Sequence, residues 1–137
     1  MIKSMSHIGI VVNDLDRAVE EWCDRYGLVV VSEETIEVEG VRNAFVSPGP
    51  SREEAACVEL MEPLDKTDMD NAIARRLATK GEGVYHAAFF VDDATSAGAD
   101  LREKGVTVID REAASESEGP RAVIHPKSAN GLLIELL

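Results

Sequence analysis

Apolar and polar positions along the chain switch between a strand period and a helix period, and they do so twice. IGIVV, from Ile8, and AAFFV, from Ala87, are short apolar runs bounded by turn residues, the pattern of buried strands. Helical spacing follows each run. In the first, Leu15, Val19, Trp22 and Tyr26 form an apolar stripe, Asn13 or Asp14 can cap its start, and Gly27 suits its end. In the second, Leu101 and Gly105 play similar parts, and Gly98 weakens the helix by about 1 kcal/mol relative to Ala. Strand candidates come next in both halves: LVVVSEETIEVE, VRNAFV and ACVELM, then VTVID, RAVIHP and LLIELL. Loops rich in Ser, Gly, Pro and Glu, SPGPSREEA and EAASESEG, separate the later strands. The connector LDKTDMDNAIARRLATKGEG predicts a short helix from Asp68 to Thr79.

Each half therefore reads β-α-β-β-β. The first module covers about residues 5–63, the connector about 64–82 and the second module about 83–137. The halves match in detail. HIGIVVNDLDRA, from His7, and HAAFFVDDATSA, from His86, both begin with His and reach Asp seven residues on, at Asp14 and Asp93. Each half closes on a strand that carries a glutamate, Glu59 in CVELMEP and Glu135 in LLIELL.

Length and charge narrow the options. With 137 residues the chain fits one domain of two small modules. A net charge of −12 argues against nucleic acid and against anionic membrane surfaces as partners. No apolar run is long enough to span a bilayer. The start, MIKSMSHIGI, lacks the apolar core of a secretory signal, so cytoplasmic residence is expected. Cys23 and Cys57 are far apart and read as two reduced core thiols.

Strand side chains alternate faces. His7 shares its face with Gly9 and Val11, and His86 shares its face with Ala88 and Phe90. A small residue beside each His leaves space over that face. Glu59 is flanked on its face by Cys57 and Met61, and Glu135 by Leu133 and Leu137. An ionised carboxylate among apolar side chains is costly without a partner or a metal. Taken singly, each His reads as a core histidine and each Glu as a salt-bridge partner. The repeated pairing is what points to a site. Two imidazoles and two carboxylates suit a divalent metal ion.

These residues carry a family resemblance. The chain resembles the vicinal oxygen chelate superfamily (glyoxalase I, extradiol dioxygenases, bleomycin-resistance proteins) over nearly its whole length. Within it, HIGIVVNDLDRA, VELMEPLDK and HPKSANGLLIEL are most similar to the methylmalonyl-CoA epimerases. The resemblance implies an α+β fold in which two βαβββ modules pair into a curled eight-stranded mixed sheet around a metal site. It implies His7, Glu59, His86 and Glu135 as ligands of a divalent ion (Co, Ni, Zn, Mn or Mg) and a homodimer as the assembly. The implied reaction is proton abstraction next to the carbonyl of an acyl-CoA thioester.

Two departures bear on mechanism. Where epimerases carry a glutamate proposed as a base, GVRNA places Asn43, and Tyr85 precedes His86 where paired histidines are common. Glu135 is then the first candidate acid/base group. Asn43, at the position of the proposed base, can hydrogen-bond but cannot take a proton, and Tyr85, Glu37 and Glu39 are weaker candidates. Arg42, Arg121, Lys127 and Ser128 are candidate acyl-CoA contacts. Two other readings share the fold: a glyoxalase-I-type isomerase acting on a thiol adduct, which Glu59 favours, and a non-catalytic binding protein, which an intact ligand set disfavours.

Overall fold

The computed structural model describes residues 1–52, 54–113 and 118–137. Its elements run β1 (Ser4–Val11), α1 (Leu15–Tyr26), β2 (Val29–Ile36), β3 (Val41–Ser47), β4 (Cys57–Pro63), α2 (Ala72–Lys80), β5 (Gly83–Phe90), α3 (Ala94–Glu103), β6 (Val108–Arg111), β7 (Arg121–Ile124) and β8 (Leu133–Leu136). The eight strands pair both parallel and antiparallel, the α+β class that the resemblance implies. The chain divides into two compact units, His7–Tyr85 and Met1–Ser6 with His86–Leu137. Helix α2 falls within the first of these. Parts of the predicted loops SPGPSREEA and EAASESEG lie outside the described residues.

In the first unit the strands lie in the order β2-β3-β4-β1, with β1 and β4 parallel and the other pairs antiparallel. Helix α1 starts where Asp14 accepts a hydrogen bond from the Arg17 N–H, and it ends where Gly27 adopts φ 70°. Its Leu15 and Ala18 pack on Ala44, Val46 and Leu60, with Val19, Trp22 and Cys23 around them. Tyr26 departs from the predicted stripe. It is exposed, and its ring meets Trp22 edge-on at 5.3 Å. Helix α2 begins later than predicted, at Ala72. Asp65 and Asp68 accept from the N–H groups of Thr67 and Asp70, two residues on, which favours turns over helix. Asn71 then caps the helix through Ile73 and Ala74.

The second unit repeats the arrangement as β5-β8-β7-β6, with β5 and β8 parallel. Asp93 caps α3 by accepting from the Ser96 N–H at 2.7 Å, and that bond holds its carboxyl below the usual range. Ala94 and Ala97 pack on Ala122, Ile124 and Leu136. Gly98 has a packing reason as well as a helix cost. A methyl there would meet the Ala122 Cβ at 3.3 Å and Asp110 Oδ1 at 3.4 Å. Ala122 is fully buried and has no side-chain freedom with which to yield. Gly98→Ala is therefore expected to forfeit its helix gain of about 1 kcal/mol and to lower the melting temperature, because crowding a packed core costs about 1–3 kcal/mol. Thermal unfolding of the variant checks this.

Candidate active site

Helices α1 and α3 cover one face of the strands in their own units, and the candidate histidines and closing glutamates lie on the other face. In the first unit His7 and Glu59 come together. Register sets Gly9 opposite Glu59 and His7 opposite Cys57. With no side chain on Gly9, the Glu59 carboxylate reaches diagonally toward His7, and Oε1 lies 3.6 Å from Nε2. His7 is 3% exposed and Glu59 9%. The other carboxylate oxygen, Oε2, accepts a 2.6 Å hydrogen bond from Asn43 Nδ2. Asn43 is 2% exposed, and its Oδ1 has no hydrogen-bond partner among the described residues. Phe45, paired with Glu59 across β3 and β4, sets its ring edge-to-face against the His7 imidazole at 5.0 Å.

In the second unit His86 and Glu135 come together in the same way. Ala88 pairs with Glu135, as Gly9 does with Glu59. His86 Nε2 lies 3.7 Å from Glu135 Oε2. Glu135 Oε1 faces Arg121 Nη1 at 3.5 Å. Asn43 precedes Phe45 by two residues, and Phe45 pairs with Glu59. Arg121 precedes Val123 by two, and Val123 pairs with Glu135. Arg121 is therefore the counterpart of Asn43 in the repeat. Each closing glutamate offers one oxygen to an imidazole and the other to a donor on the antiparallel neighbour.

These distances fit shared coordination better than direct bonding. A charge-assisted hydrogen bond is about 2.7–2.9 Å long. Two atoms that each lie about 2.0–2.2 Å from a common ion stand roughly 3–4 Å apart. Imidazole nitrogen and carboxylate oxygen are suitable donors for a divalent transition metal.

The remaining candidates fall elsewhere. Arg42 sits on the helix-covered face of β3 and pairs with Asp16 of α1. Lys127 and Ser128 lie in the turn Pro126–Ser128 before β8. There the Lys127 N–H donates to His125 Nδ1, and the Ser128 hydroxyl accepts from the Thr107 N–H. Tyr85 packs against Val11, Met61 and Leu77. Glu37 and Glu39 form a turn between β2 and β3. Sequence reasoning missed Arg52, whose guanidinium lies 3.6 Å over the Phe45 ring. It also missed the burial of Arg121. Strand parity would have found the latter, since Arg121 shares its face with Val123 and Asn43 shares its face with Phe45.

Comparison with known proteins agrees with this arrangement. Residues 6–124 match the Glyoxalase/Bleomycin resistance protein/Dioxygenase superfamily. The crystal structure of methylmalonyl-CoA epimerase from Mycobacterium tuberculosis superposes with a TM-score of 0.85 at 34% identity, covering 98% of this chain and 87% of that one. A variant of the Streptomyces coelicolor methylmalonyl-CoA epimerase, solved in complex with 2-nitronate-propionyl-CoA, gives 0.84 at 36% identity, covering 99% and 96%. The mitochondrial methylmalonyl-CoA epimerase of Homo sapiens is 30% identical over 134 residues, 96% of this chain and 72% of its own length. A doubled βαβββ chain with a His–Glu pair in each half thus belongs to the Glyoxalase/Bleomycin resistance protein/Dioxygenase superfamily and, within it, to the methylmalonyl-CoA epimerases.

Proposed function

We propose that this chain is a metal-dependent epimerase that moves the proton next to the thioester carbonyl of a methylmalonyl-CoA-type substrate. The observation that carries the reading is the buried His–Glu pair in each half, with Nε2-to-oxygen distances of 3.6 and 3.7 Å. Its chemistry is that of the relatives, one of which was solved with methylmalonyl-CoA itself. His7 and Glu59 from one half and His86 and Glu135 from the other would hold the divalent ion. When bound, the ion supplies Lewis-acid polarisation of the thioester carbonyl and stabilises the charge that develops on its oxygen.

The chain's own residues move the proton. Glu135 is the base on one face, its carboxylate oriented by Arg121. Inversion needs a second acid/base group on the opposite face. Asn43 cannot fill that role, because its amide takes no proton and its Nδ2 is committed to Glu59. We assign it to Glu59, the carboxylate that Asn43 holds. Gly9 and Ala88 leave room beside the two glutamates for the acyl group.

We further propose a reducing, cytoplasmic setting and a homodimer. Cys23 and Cys57 are free thiols, and among the described residues no helix is long and apolar enough to cross a membrane. Strand β2 lies at an edge of the strand order and exposes Val29 and Val30, which supports pairing with a second copy.

Incubating the metal-loaded protein with methylmalonyl-CoA in deuterated water tests the function. Deuterium is expected at the α-carbon together with inversion. No exchange, alongside turnover of a methylglyoxal–thiol adduct, would favour the glyoxalase-type reading instead.

A further inference from the structure

We propose that Met61 and Val11 limit the size of the alkyl branch that the site accepts on the α-carbon, and so select short branches. This rests on the acyl-CoA reading above, in which Glu59 meets the α-carbon. The side chains around Glu59 on its own face then bound whatever that carbon carries. Strand alternation and register name them. Along β4 they are Cys57 and Met61, and across the ladders they are Phe45 and Gly9. Phe45 sets its ring against the His7 imidazole. Gly9 brings no side chain, so the room beside Glu59 lies over β1. Along β1 that room is bounded by His7 at one end and by Val11 at the other, and Val11 pairs with Met61.

The wall that Val11 and Met61 form is closely packed. Val11 is fully buried, and Met61 is 4% exposed. Both pack with Leu77 of α2, and Ile73 and Tyr85 surround them. Val11 is β-branched and stiff at χ1. Met61 has a flexible side chain, but it is enclosed by Leu77 and lies opposite Asn43 on β3. The internal repeat provides a contrast. By their offsets from Ala88 and Glu135, Phe90 and Leu137 are the counterparts of Val11 and Met61, and both are only half-buried. Helix α2 therefore does more than connect two strands. It packs on the same face as His7 and Glu59 and closes the end of that face toward which a longer branch would extend.

The test compares kcat/KM for methylmalonyl-CoA and ethylmalonyl-CoA, read as α-proton exchange by the metal-loaded protein. It uses the wild type, Met61→Ala, Met61→Leu and Val11→Ala, with thermal unfolding followed in parallel. The wild type is expected to prefer methylmalonyl-CoA by about tenfold or more, the usual effect of one methylene in an apolar pocket. Met61→Ala should bring the ratio close to one, chiefly by raising the rate with ethylmalonyl-CoA. Met61→Leu nearly conserves volume and should keep the preference. Val11→Ala opens the same wall from β1 and should relax the preference even if Met61→Ala does not fold. The proposal is overturned if the wild type uses the two substrates equally, or if the folded alanine variants keep its preference. It is also overturned if those variants lower both rates equally, because Met61 and Val11 then only support the fold. A wild type that turns over neither substrate overturns the underlying functional reading as well.

Discussion

Glu135→Ala is expected to lose both metal and activity, with α-proton exchange falling by about 10²–10⁴, the usual contribution of an acid/base group. The residue has two neighbours to account for. Its Oε2 faces His86 and its Oε1 faces Arg121, whose side chain is largely buried. Truncation removes a proposed metal ligand and also the anion beside a largely buried guanidinium. Breaking such a pair costs up to about 3 kcal/mol, towards the lower end of measured cases. Thermal unfolding separates the two effects. In the wild type, saturating metal is expected to raise stability by about 2.7 kcal/mol when present at a hundred times its dissociation constant. If both halves hold one ion, Glu135→Ala and His7→Ala should each abolish that shift, although the two residues lie in different units. A metal-dependent shift that survives His7→Ala would disprove shared coordination. Glu135→Gln keeps the shape and loses the charge, so it should unfold closer to the wild type while remaining as inactive as the alanine variant.

The strand–helix alternation, the doubling and the His–Glu pairing were all legible in the sequence, because each rests on a period that side-chain burial enforces. Gly9 and Ala88 were legible for the same reason, as the small positions on the histidine faces. Errors arose where local chemistry competed with periodicity. Asp65 and Asp68 captured neighbouring N–H groups and delayed α2, although the apolar pattern alone allowed an earlier start. Tyr26 has the right spacing for the core but packs edge-on against Trp22 at the last turn. Charge alone does not separate the basic residues, because it says nothing about face. Parity does: Arg42 alternates with Asn43 and falls on the side of Ala44's neighbours in the helix-covered core, whereas Arg121 falls on the side of Glu135. The link from Asn43 to Glu59 was not legible, since it depends on the register of two antiparallel strands sixteen residues apart in sequence.

Asn43→Leu is expected to separate inversion from exchange. The substitution keeps the γ-branched shape of Asn in a larger side chain and removes the donor that fixes Glu59 Oε2 at 2.6 Å. A hydrogen bond to a charged group contributes about 1.5–3 kcal/mol. Part of that loss is offset, because Oδ1 is a buried acceptor with no partner among the described residues, and leucine removes it too. A net loss of about 1–2 kcal/mol on thermal unfolding is the expected result. Loss of a group that orients a metal ligand typically weakens metal binding by about 10–100-fold, so the kinetic comparison is made at saturating metal. Under that condition Glu135, the base proposed above, should still remove the α-proton, since its neighbours His86 and Arg121 are untouched. Glu59, no longer anchored, should deliver a proton to the opposite face less efficiently. Deuterium exchange should therefore persist while inversion falls, raising the ratio of exchange to inversion. An unchanged ratio would restrict Asn43 and Glu59 to holding the metal and would require a different second acid/base group. The same measurement on Asn43→Gln, whose longer amide still reaches for a carboxylate, distinguishes loss of the hydrogen bond from loss of packing. Partial recovery of inversion with Gln, but not with Leu, would place the effect in the contact between Asn43 and Glu59.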